Sequence, residues 1–215
     1  VINANTLFNM YRSSSNEVKW DAENLKEIVI ELDQAFKSEG KQRKLFALKK
    51  ATRVFQKKRL IAQLSYEYIN ELKNLHYSND AKLNDLAITL LSLADGMTNR
   101  FLIRGSNNPD INCLIDIKKG LFLIYETDTP ICQLVKKLNI DTIKRSFPRN
   151  KNYDDQMEKG LIILESLNLL KNGSSTDFKE LKLSLSMLAN IGQIDLVNKI
   201  SIELIALTTL KKMVL

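Results

Sequence analysis

Residues 82–104 read KLNDLAITLLSLADGMTNRFLIR, and their pattern decides the fold. Leu83, Leu86, Leu90, Leu93 and Met97 recur at steps of three and four, the spacing of one stripe along an α-helix. Ala87, Leu91 and Ala94 widen the stripe, while Ile88, Phe101, Leu102 and Ile103 place apolar groups on other sides. A helix apolar on most of its circumference must be covered on most of its circumference. The stretch is therefore expected to be the central helix of an all-α protein, an irregular bundle of about eight helices.

Composition agrees with that class. With 7 Gly and 3 Pro in 215 residues, the chain suits long helices and short connections better than a many-stranded sandwich or barrel. Its longest purely apolar run, residues 121–125, falls far short of the roughly 20 residues of a membrane span. The opening residue is Val1, and no basic-then-apolar leader follows, so a piece of a longer protein is expected. Cys113 and Cys132 have no metal-ligand spacing and read as two buried small apolar groups, which favours a reducing, cytoplasmic compartment.

Outward from the central stretch, two readings matter for organisation. Residues 42–76 hold no breaker, yet Leu45, Leu48, Ala51 and Phe55 lie on a different line from Leu60, Leu64, Tyr68, Leu72 and Leu75, so a break is expected near 58–61. Gly40 is expected to be the left-handed residue that ends the preceding helix. The Pro-bearing polar run at 147–152 is the best boundary in the chain. It divides a main bundle (1–148), holding a basic helix at 41–59, from a C-terminal subdomain of three helices (149–215). Residues 188–200 resemble the middle of an ankyrin repeat, but Leu183-Ser184-Leu185-Ser186 stands where that family has Thr-Pro-Leu-His, and no second copy follows. A plain helix–Gly turn–helix hairpin is the reading kept.

The net charge of +7 is local. Nine basic and no acidic residues lie between Gly40 and Tyr66, and the remaining 23 basic residues face 25 acidic ones. At 100° per residue, Arg43, Lys49, Lys50, Arg53 and Lys57 form a strip opposite the apolar face. Such a strip fits an acidic protein partner or anionic lipid headgroups. Nucleic acid ranks below both, because Phe46 and Phe55 are expected inward or at the edge, leaving no aromatic to stack bases.

Two further surfaces are candidates. Residues 111–126 read either as a helix or as a β-hairpin turning at Lys118-Lys119-Gly120, and in either form Leu121, Phe122, Ile124, Tyr125, Pro130 and Ile131 offer an apolar contact surface. Arg100 and Arg104 precede the cap residue Asn108, an arrangement that could hold an anion at a helix N-terminus. Catalytic signals are weak. His76 is the single histidine, and the carboxylate pairs Glu27/Glu31 and Asp154/Asp155 read as a solvated face and a helix start. No phosphate loop, metal motif or nucleophile elbow occurs, so no catalytic residue, cofactor or metal is assigned. The expectation is a non-enzymatic protein-interaction domain, with polyanion binding through 41–59 as the alternative. The Lys-, Asn- and Ile-rich composition adds the expectation of a bacterial effector engaging a host protein.

Overall fold

The structure, a computed structural model, describes residues 22–94, 106–145, 156–172 and 176–214. They form ten helices and no strand: α1 (Ala22–Lys37), α2 (Lys41–Lys57), α3 (Ile61–Glu67), α4 (Ile69–His76), α5 (Ala81–Leu93), α6 (Pro109–Lys119), α7 (Pro130–Arg145), α8 (Gln156–Leu169), α9 (Phe178–Asn190) and α10 (Ile194–Val214). The all-α expectation holds, with ten helices in place of about eight. No helix among the described residues is long and apolar enough to cross a membrane.

Helix α5 is the predicted central element, though shorter. Asp80 caps it, its side chain accepting from the Lys82 and Leu83 amides at 2.9 and 3.1 Å. Every residue from Leu86 to Leu93 is buried, on all sides of the helix. The helix stops at Leu93, where Ala94 turns extended, instead of running to 104. Asp95-Gly96 follow in the sequence, two residue types that favour turns over helix interiors; positions 95–105 lie outside the described residues. The core is shared with α10, which packs against α2, α5, α6, α7 and α9. Leu196, Val197, Ile200, Leu204, Ile205, Ala206 and Leu210 are all buried, as an all-round apolar helix requires. The proposed boundary near residue 149 lies outside the described residues.

Three helix ends share one motif, in which the residue after the cap is left-handed and two amides turn back onto the last carbonyls. Gly120 (φ 69°) ends α6 through Gly120 N–H to Ile117 O and Leu121 N–H to Asp116 O, at 3.1 and 2.8 Å. Gly192 (φ 79°) ends α9 through the Ala189 and Leu188 carbonyls, making the plain hairpin with α10. At the break expected near 58–61, α2 ends the same way, but the left-handed residue is Arg59 (φ 59°), bonded to Gln56 O while Leu60 N–H reaches Phe55 O. Gly40 departs from expectation. Its φ of −74° makes it the residue that starts α2, not a left-handed terminator of α1.

Candidate functional site

Between α6 and α7 the chain makes a loop whose sequence is unusually apolar for its position. Gly120 ends α6, Pro130 opens α7, and residues 121–125 adopt neither helix nor strand. The helix-or-hairpin alternative for 111–126 thus resolves into a helix over its first part and an irregular loop over its second. Leu121, Leu123, Ile124 and Tyr125 are exposed by 49%, 67%, 49% and 36%, while Phe122 is half-buried. Of the residues assigned from sequence, Pro130 is exposed and Ile131 packs partly against the core. Leu123 was not among them, yet it is the most exposed of the set.

This loop is held at its base by buried chemistry. Cys113 on α6 and Cys132 on α7 are fully buried and joined as a disulfide, with their Cα atoms 5.8 Å apart. That corrects the reading of two separate apolar thiols, and the case for a reducing compartment built on it lapses. One turn further along each helix, Lys136 sits with no solvent exposure, its Nζ 2.7 Å from Asp116 Oδ2 and 2.9 Å from Asp128 Oδ2. The same ammonium lies 4.7 Å from the centre of the Tyr125 ring. Asp128 Oδ2 also accepts the Tyr125 amide at 2.8 Å, so the lysine holds both ends of the loop. A buried lysine is tolerated only where charge and hydrogen bonds replace water, and two carboxylates and an aromatic face do so here.

The basic strip is exposed at Arg43, Lys50, Arg53 and Lys57, with Lys49 half-buried. Two of its members hold helices together. Lys50 pairs with Glu31 of α1 at 2.5 Å, and Arg53 donates to the Val214 carbonyl at the end of α10. Phe46 overturns one expectation. It is 68% exposed, in step with Arg43, Lys50, Arg53 and Lys57 along one face of α2, whereas Phe55 is buried as expected.

The third candidate is only partly within view. Arg100 and Arg104 lie outside the described residues, and Asn108 acts as an ordinary cap, accepting the Asp110 amide at 3.0 Å. Of the weak catalytic signals, His76 is buried with its Nδ1 2.8 Å from Asn84 Oδ1, tying α4 to α5. Glu31 serves the Lys50 pair, and Asp154/Asp155 lie outside the described residues. Half-buried Asp85 has its carboxyl pushed up by burial, partly offset by a hydrogen bond from Ser106. No group of three or more His, Cys, Asp or Glu among the described residues could hold a metal ion. The chain matches no protein-family model, no curated protein and no solved structure.

Proposed function

We propose that this chain is a non-enzymatic protein-docking domain that inserts its 121–125 loop into an apolar groove on a partner protein. The observation that carries the reading is the contrast between tip and base. Leu121, Leu123 and Ile124 are exposed, and Tyr125 partly so, on a loop whose base is cross-linked and ion-paired in the core. Contiguous exposed apolar groups mark interaction sites more often than scattered ones do. A loop already fixed in shape loses little conformational entropy on binding, so more of the contact energy appears as affinity.

The test is a photo-crosslinking side chain at Leu123, run in lysate at physiological salt beside a Leu123→Asp/Ile124→Asp variant. One defined crosslinked protein, whose capture the double variant loses, supports docking through the loop. Equal capture by both forms removes the loop from the interface.

A second reading rests on the exposed Phe46. An aromatic side chain in line with Arg43 and Lys57 suits a salt-sensitive contact with anionic lipid headgroups, the ring entering the headgroup layer. Arg43→Glu/Lys57→Glu is the informative variant, because Lys50 and Arg53 also bind neighbouring helices. Sedimentation with vesicles of anionic lipid, lost in that variant and in high salt, supports this reading.

A further inference from the structure

Helices α1 to α4 line a pocket of about 420 Å³ that is partly open to solvent. This is within the size range of small-ligand sites, roughly 300–1,000 Å³. Its floor is apolar: Phe55 and Leu64 are buried there, and half-buried Val29 adds a side wall. Its charged lining is acidic, with Asp33 from α1, Glu67 from the end of α3 and Glu71 from α4; Gln63 and Tyr68 add neutral polar groups, and no lining residue is basic.

The three carboxylates share one neighbour. The Tyr68 hydroxyl donates to Asp33 Oδ1 at 2.7 Å. Its own titration is pushed up by burial first, then by the Asp33 hydrogen bond and the charges of Asp33, Glu71 and Glu67. All three acids therefore bear on one rim of the cavity. They do not converge tightly enough to bind one metal ion, since no such group exists among the described residues. Positive charge that satisfied all three would have to be spread over several ångströms, on a body that prefers Phe55 and Leu64 to water.

We infer that this cavity binds a small aliphatic polyamine, its hydrocarbon spacers lying on Val29, Phe55 and Leu64 and its separated ammonium groups pairing with Asp33, Glu67 and Glu71. Hydrogen bonds between ammonium and carboxylate are the stronger kind, and the apolar floor discriminates against simple inorganic cations. The site is independent of the 121–125 loop and goes beyond the docking reading.

The test is calorimetric titration of the full chain with spermidine at low ionic strength, beside titrations with magnesium and with a Lys-rich peptide. Saturable binding of one spermidine per chain is expected, with no matching signal from magnesium. Glu67→Gln/Glu71→Gln should weaken it at least about tenfold, equivalent to about 1.4 kcal/mol. Val29→Trp, which fills the cavity and keeps every carboxylate, should abolish it, with thermal unfolding of each variant confirming an intact fold. The proposal is overturned by an absence of saturation at millimolar spermidine, or by equal binding in the Val29→Trp variant. Binding of the peptide or of magnesium in place of spermidine overturns it as well.

Discussion

Lys136 and Asp116 meet across α7 and α6 with Nζ and Oδ2 2.7 Å apart, both side chains shut off from water. The contact sits one helical turn beyond the Cys113–Cys132 bond, and Asp128 joins it from the end of the exposed loop. Loop shape and core stability are therefore one problem in this protein.

Replacing the lysine tests that coupling. Lys136→Met leaves Asp116 and Asp128 buried without their cation and should cost about 3–5 kcal/mol in urea unfolding. Loss of the Tyr125 ring contact should also appear as a change in Tyr125 resonances in the folded variant. A cost below about 1 kcal/mol would mean that the two carboxylates find water or another donor.

Opening the disulfide should act on the same region. The bond closes a segment of 19 residues' separation. Cys113→Ala/Cys132→Ala should lower stability by about 3 kcal/mol in the chain-entropy picture. Hydrogen exchange should quicken first at the Leu121 and Tyr125 amides, whose partners are the Asp116 carbonyl and Asp128.

Arg59 should be improvable. It occupies a left-handed position that Gly120 and Gly192 fill in the two matching helix ends. A side chain there costs about 1–2 kcal/mol, partly offset by the freedom glycine brings to the unfolded chain. Arg59→Gly is expected to raise the stability by about 0.5 kcal/mol, read as a higher denaturation midpoint with unchanged slope.

Tyr68 sets an alkaline limit. Its folded titration lies above that of the free phenol, so the folded state keeps a proton that the unfolded state loses as pH rises past 10. The stability this provides is complete below pH 10 and is lost progressively above it. Tyr68→Phe removes that dependence, and its stability should fall less steeply between pH 10 and 11 than that of the wild type.

Local signals in the sequence foretold local structure well. The Asn108 cap, the break after Lys57 and the burial of α5 on all its sides each follow from spacing or from side chains adjacent in the chain. What stayed hidden depends on pairs far apart. Lys136 looks like any helix lysine until Asp116, 20 positions away, is placed beside it. Cys113 and Cys132 carry no spacing that announces a bond. Phe46 was expected at an edge or inward because aromatic residues usually bury, and only the packing of α1 and α10 around α2 leaves it outside. The acidic cavity was invisible for the same reason, since its walls come from four helices.

Helix α10 has one more consequence. It touches helices that begin as early as residue 41, so the core of α2, α5 and α6 lacks a wall until residues 194–214 have been made. At about 5–20 residues per second, translation leaves the earlier helices waiting several seconds for it. During that interval the faces of α2 and α5 that it will cover stay open to other apolar surfaces. The core of this chain thus closes only once residues 194–214 have emerged, and a nascent chain halted before residue 194 should be a chaperone client.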